Sequence, residues 1–215
     1  IGQRAIQEGL HVENLNSDEV RKLHPNLNMD VKGAVYFHSD SHTTPNEFLA
    51  EMIRFLKKEG VEFRSNTKVT SFDKSKDSIR SITTSQGSIE ADEFIIATGS
   101  WTQVFTKQLG VKIPIQAGKG YSINVSRKTG ITIPTILCEK KVAVTPMSGF
   151  TRFAGMMEIG GINFKINQQR VKAIAKAVNE YYPNTEIDSE DLNQVQSGLR
   201  PVSPDGLPYI GKLSK

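Results

Sequence analysis

The sequence predicts a mixed α/β fold, with a largely antiparallel sheet flanked by helices. Three observations predict it. Residues 45–59 and 167–182 repeat apolar side chains at helical spacing. Several short runs between 31 and 155 are rich in β-branched and aromatic residues or alternate apolar with polar. The links between the later runs are short, which suits neighbours that pair antiparallel.

Composition narrows the function classes. At 215 residues, 37% hydrophobic and 23% charged, the chain has an ordinary globular make-up and room for one large domain or two small ones. No apolar run approaches the length of a transmembrane helix. Cys138 is the single cysteine, so an intramolecular disulfide and a cysteine-based metal site are excluded. A cytoplasmic setting fits. The net charge of +4 arises from 27 basic and 23 acidic residues that are interspersed, and no basic block points to nucleic acid.

In chain order, Ile1 to Leu10 reads as the tail of a helix ending at Gly9, with no basic start and apolar block of a signal peptide. The chain is therefore expected to be a piece of something longer. Asn16 to Leu23 reads as a capped short helix halted before Pro25. Val31 to Phe37 is a strand by its β-branched and aromatic content. His38, Asp40 and His42 follow it. Extended, they share one side and invite a metal; as strand-terminating turn residues they need none.

Thr44 and Pro45 open the clearest helix, which Gly60 ends. Its stripe of Phe48, Leu49, Met52, Ile53 and Leu56 is expected to pack in a core. Val61–Arg64 alternates, Thr67–Phe72 follows, and Ile79–Thr83 with Ser88–Ala91 flank a Ser85-Gln86-Gly87 turn as a hairpin. Phe94-Ile95-Ile96-Ala97-Thr98-Gly99 reads as a buried strand closing on a glycine, which permits a close backbone approach to a ligand. Ser100 starts a helix running to about Gly110. In the strand that follows, Tyr121, Ile123 and Val125 form an apolar face. Lys119 shares that face with Tyr121, either lining a site or solvated. Residues 132–137, 141–145 and 151–155 are further strands, with turns at Lys140-Lys141 and Ser148-Gly149. Asn167 caps a helix whose Val171, Ile174, Ala175, Val178 and Tyr182 lie on one face, stopped by Pro183. Residues 187–196 are expected to be extended.

The stretch from Gly198 to Gly211 holds three glycines and three prolines, a density that fixes irregular backbone rather than a helix or central strand. Ser203-Pro204-Asp205-Gly206 reads as a type I turn. Arg200, before Pro201, is biased to an extended conformation. It can present its planar fork to a carboxylate, or it can be a solvated loop arginine.

Gly198-Leu199-Arg200-Pro201 followed by Asp205-Gly206-Leu207-Pro208-Tyr209-Ile210-Gly211 resembles the late segment of FAD-dependent D-amino-acid oxidases and dehydrogenases and of glycine oxidase. The likeness extends to His38–Pro45 (with Ser39 where a glycine is usual), to Ala97-Thr98-Gly99 with Trp101, to Pro114–Ser122, and to Arg152–Glu158, where Met156 replaces a common threonine. The resemblance implies a substrate-domain part at 1–37, a partial Rossmann-like FAD-binding domain at 38–100, the substrate domain at 101–196, and a return toward the FAD-binding domain at 197–215. It implies that Arg200 grips the substrate carboxylate, with Tyr121 and Lys119 near it. It also implies that Val69, Ala97, Thr98, Gly99, His42 and Thr44 lie against FAD.

The implied activity is oxidative deamination of a small D-amino acid. Hydride passes from Cα to the flavin, and the imine hydrolyses to a 2-oxo acid and ammonia. No catalytic side-chain acid or base and no metal are required. A glycine, sarcosine or 2-hydroxy-acid oxidase is the sister alternative, and a non-catalytic ligand-binding or interaction module the distant one. The electron acceptor (oxygen, a quinone or a partner protein) stays open. Localisation is expected to be cytoplasmic, with a position peripheral to the inner membrane as the variant. The family's Gly-x-Gly-x-x-Gly pyrophosphate turn does not occur in this sequence. FAD is thus expected in the full-length enzyme, and the 215-residue chain alone is expected not to retain it.

Overall fold

In the computed structural model, which describes residues 1–75 and 78–213, helices and strands follow the chain in this order. First come α1 (Gly2–Gln7), β1 (Val12–Asn16), α2 (Ser17–Leu23), β2 (Gly33–Phe37) and α3 (Pro45–Lys58). Next are β3 (Val69–Lys74), β4 (Ile79–Thr84), β5 (Gly87–Glu90) and α4 (Thr102–Gln108), the last preceded by a 3-10 turn at Gly99–Trp101. The chain then forms β6 (Gln116–Val125), β7 (Thr135–Leu137), β8 (Val142–Met147), β9 (Phe150–Ile159), α5 (Gln168–Tyr181), α6 (Ser189–Asn193) and β10 (Gln196–Val202). The mixed α/β class and the antiparallel sheet are as the sequence predicts.

The chain divides into two compact units. The first comprises 1–48, 120–157 and 165–198; the second comprises 49–119, 158–164 and 199–215. Set beside the segments expected from the sequence (1–37, 38–100, 101–196 and 197–215), these divisions place α4 and the 158–164 loop with the second unit.

The first unit holds the main core. The five strands of its sheet lie in the order β10-β6-β9-β8-β7, and the ends of β6, β9 and β10 group with the second unit. Alternation along β6 sends Tyr121, Ile123 and Val125 to one face, where they meet Val142, Val144 and Phe153 from the neighbouring strands. Helix α5 covers this face with Val171, Ile174 and Val178, all at 0% exposure. Each such side chain contributes about 1.5–3 kcal/mol by leaving water. Asn167 starts α5 by accepting hydrogen bonds from the Gln169 and Arg170 amides. A capping box starts α2, in which Asn16 accepts from the Asp18 and Glu19 amides while the Glu19 carboxylate accepts from the Asn16 amide. Strands β1 and β2 form a separate antiparallel pair. Near the middle of β9, Met156 has φ +65, a left-handed conformation unusual for any residue with a side chain.

The second unit carries the antiparallel sheet β3-β4-β5, joined to α4 through the Phe72–Phe105 edge contact at 5.9 Å and the Lys74 ammonium, which donates to the Gln108 carbonyl at 2.7 Å.

Four expectations need correction. The apolar stripe of α3 has the right period, yet the helix has no buried residue and Phe48, Leu49, Met52 and Ile53 are 39–54% exposed. Periodicity sets which face is apolar, and a covering surface must come from elsewhere; none of the described residues buries this one. Phe94–Gly99 forms no strand, and Ile95 is 92% exposed. An extended segment becomes a strand only beside a ladder partner, and the described residues supply none; Val61–Arg64 lacks strand structure for the same reason. Residues 187–196 are not extended throughout, because Asp188 caps α6 by accepting from the Asp191 amide. His38–His42, for which the sequence left a turn and an extended run both open, takes the turn. The chain turns, with the Asp40 amide donating to the Phe37 carbonyl, so the one-sided His-Asp-His array does not form.

Candidate functional site

The arginine of the Gly/Pro-rich stretch lies on β10, an edge strand of the sheet, rather than on irregular backbone. An edge position tolerates the missing N–H of Pro201 on the side away from the ladder. The strand ends at Val202, and beyond it the Gly206 amide donates to the Ser203 carbonyl at 3.3 Å and closes the expected turn. Gly206 has φ +78, and the Asp205 carboxylate accepts from the Leu207 amide. Arg200 is exposed, and no described residue makes a hydrogen bond or ion pair with its side chain. It is an extended, rigidly flanked cation with its fork uncommitted.

Lys119 is not solvated. It is 3% exposed; its ammonium donates to Asn163 Oδ1 at 2.7 Å and lies 3.1 Å from Glu158 Oε1. Asn163 in turn donates to the Gly160 carbonyl at 2.9 Å, so the buried ammonium pins the 158–164 loop. Phe164 of that loop stacks on Trp101 at 6.3 Å. Tyr121 shares the β6 face with Lys119 and sits in the core of the first unit at 2% exposure. Sequence reasoning missed Asn163, for which no local signal exists. Glu158 was visible only as the end of the Arg152–Glu158 segment.

Among the expected cofactor residues, the second unit holds Val69, Ala97, Thr98 and Gly99. Val69 is half-buried at the start of β3, just before an irregularity in its pairing with β4. Gly99 has φ +53, and a Cβ there would meet nothing within 4 Å, so its outer side is open. The turn is held by the Thr102 hydroxyl donating to the Gly99 carbonyl at 2.8 Å, and by the Trp101 amide donating to the Thr98 carbonyl. Beside it the Ser100 hydroxyl is buried with no hydrogen-bond partner among the described residues. A buried polar atom without a partner costs stability unless another group meets it. An open left-handed glycine, an orphan hydroxyl and the unladdered backbone of 94–98 fit a polar ligand laid against this turn. In the first unit His42 is exposed, while Thr44 is half-buried and its hydroxyl oxygen accepts from the Ser148 amide at 3.3 Å.

Among the described residues no three His, Cys, Asp or Glu are grouped to hold a metal ion. No helix there is long and apolar enough to cross a membrane.

Residues 1–215 match the family described as FAD dependent oxidoreductase (DAO). A D-amino acid dehydrogenase of Vibrio vulnificus is 30% identical over 214 residues, covering 96% of this chain and 50% of that protein. A D-amino acid dehydrogenase of Granulibacter bethesdensis is 33% identical over 184 residues, covering 83% of this chain and 43% of that protein. The chain thus spans about half the length of these relatives or less. Among solved structures, glycine oxidase from Geobacillus kaustophilus superposes with a TM-score of 0.83 at 19% identity, covering 99% of this chain and 57% of that one, a likeness of fold.

Proposed function

Because the chain belongs to the FAD dependent oxidoreductase (DAO) family, we propose that it forms part of an enzyme that oxidatively deaminates D-amino acids to 2-oxo acids and ammonia. The observation that carries this reading is the match over most of the chain to relatives named D-amino acid dehydrogenase, together with an uncommitted Arg200 in the segment that carries the likeness.

In this reading Arg200 donates two parallel N–H bonds to the substrate carboxylate. Pro201 and the turn at Ser203–Gly206 limit how far its strand can drift. Holding the substrate by one end lowers the entropy lost in aligning its Cα–H bond. FAD, when bound, supplies the two-electron oxidation. Val69 through its backbone, the Ala97-Thr98-Gly99 turn, His42 and Thr44 are the residues proposed to lie against it, and the orphan Ser100 hydroxyl is a further donor for it. Lys119 and Tyr121 serve the substrate side by positioning: Lys119 through Glu158 and Asn163, and Tyr121 by anchoring β6 in the core.

The test is anaerobic mixing of the full-length holoenzyme with a panel of D-amino acids and their L-enantiomers, with 2-oxo acid measured as product. Bleaching of the flavin band by D-amino acids with matching 2-oxo acid is expected. No bleaching by any D-amino acid would sink the reading.

A further inference from the structure

Helix α4 ends in a tight reversal. Gly110 takes φ +75, the left-handed conformation open to glycine, and its amide donates to the Lys107 carbonyl at 3.2 Å. The Val111 amide donates to the Thr106 carbonyl at 2.9 Å. These two bonds turn the chain back along the helix. The Gln103 side-chain amide then donates to the Ile113 carbonyl at 3.0 Å and ties the returning segment to the first turn of α4. Residues 111–113 are thus fastened to α4 at both ends.

A cleft of about 400 Å³ is lined by this segment and the helix, a size within the range of small-molecule sites. All of its lining belongs to the second unit. At a helix end of this kind an apolar side chain from the last turn usually packs on the residue after the glycine. Here that position is Thr106, and the cleft remains open. Its wall is mostly apolar, with Val111 and Ile113 half-buried. Thr106 is 1% exposed, and its hydroxyl has no hydrogen-bond partner among the described residues, so the wall also carries a polar group that they leave unmet.

The rim is basic. Lys107 and Lys112 both line the cleft, and among the described residues neither ammonium has a hydrogen-bond or ion-pair partner. No acid among the described residues lines it. The helix C-terminus adds about half a negative charge, which two full positive charges exceed. An apolar wall beneath two uncommitted cations matches a ligand with an apolar body and one anionic end. A sugar phosphate would lay hydroxyls on the apolar wall and leave them without partners.

We propose that this cleft binds a small carboxylate with an apolar tail, held at its charged end by Lys107 and Lys112.

Binding of 3-phenylpropionate is measured by calorimetry on the full-length holoenzyme carrying Arg200→Ala, which removes the other grip proposed for a carboxylate. Saturable binding is expected, about fivefold or more tighter than that of 3-phenylpropan-1-ol, from two partly screened charges. Propionate, which lacks the tail, should bind at least about tenfold more weakly than 3-phenylpropionate. Lys107→Met with Lys112→Met should bring acid and alcohol to equal affinity, whereas Lys107→Arg with Lys112→Arg should keep the preference. Removing two lysines of the first unit, by Lys22→Met with Lys172→Met, should leave it unchanged. No saturable binding overturns the proposal. So do equal affinities for acid and alcohol, equal affinities for 3-phenylpropionate and propionate, an unchanged preference in the Lys107 and Lys112 methionine pair, or the same loss in the Lys22 and Lys172 pair. Should the Lys107 and Lys112 methionine pair not fold, each single methionine variant, expected to lose part of the preference, decides it.

Discussion

Replacing Arg200 separates binding from folding more cleanly than any other change in this chain. No described residue bonds its side chain, and it is exposed, so Arg200→Ala should alter stability by no more than about 0.5 kcal/mol. The effect on substrate should be large. Arg200→Lys keeps the charge but exchanges a planar fork for a point charge, which removes one of two bonds to a carboxylate. A hydrogen bond to a charged group contributes about 1.5–3 kcal/mol. At about 1.4 kcal/mol per decade, kcat/KM for a D-amino acid should fall about ten- to a hundredfold in the full-length holoenzyme. Arg200→Ala should lose more, because the carboxylate then has no partner. The assay compares each D-amino acid with the amine that lacks its carboxylate. Wild type should prefer the acid, Arg200→Ala should show no preference, and flavin content and melting temperature should match wild type. Wild-type kinetics in both variants, or an equal loss on acid and amine, would refute carboxylate binding by Arg200.

Other expectations follow from the core, the buried charge and the cofactor turn. Phe153→Ala should destabilise by about 3–5 kcal/mol in urea melts, because Phe153 is fully buried against α5 and its neighbours. Glu158→Ala leaves the Lys119 ammonium short of its carboxylate and should cost about 3 kcal/mol by the same measurement, with Glu158→Gln costing less. Burial holds the His24 imidazole below its ordinary value near 6.5, so the fold favours its neutral form. The unfolded chain then binds the proton more readily, and its contribution is complete above about 6.5 and lost as pH falls toward the folded value. The wild-type melting temperature should accordingly drop on acidification through that window, and His24→Gln should flatten the drop. Gly99→Val forces a β-branched residue into φ +53 and should weaken FAD retention by the full-length enzyme, read as flavin released on gel filtration. The 215-residue chain alone should purify colourless.

What the sequence made legible was local. Asn16 and Asn167 cap helices because their side chains reach amides two and three residues on, a rule that needs no tertiary knowledge. Alternation along β6 revealed its buried face for the same reason. The failures came where the outcome depends on a distant partner. The α3 stripe and the Phe94–Ile96 run are apolar in sequence whether or not anything covers them, and here Phe48, Leu49, Met52, Ile53 and Ile95 stay open to solvent. The sequence leaves Lys119 open between a site residue and a solvated one until Glu158 and Asn163, 39 and 44 residues away, arrive beside it. Arg200 stands out in the sequence by its flanks, Pro201 and the turn at Ser203–Gly206, both of which are local features.

The left-handed backbone at Met156 bears on how this chain tolerates repair toward its relatives' usual motif. The segment it interrupts resembles one that commonly carries threonine at this place. Consensus substitution normally rewards such a reversion. At φ +65, however, a β-branched residue crowds its own backbone more than an unbranched methionine does. Reverting Met156 to threonine should therefore cost stability in this backbone, whereas glycine or asparagine, which accept that geometry, should be tolerated. A motif can thus remain recognisable after one of its members has been replaced by a residue better suited to the local bend, and restoring the missing letter by itself would leave the chain worse off.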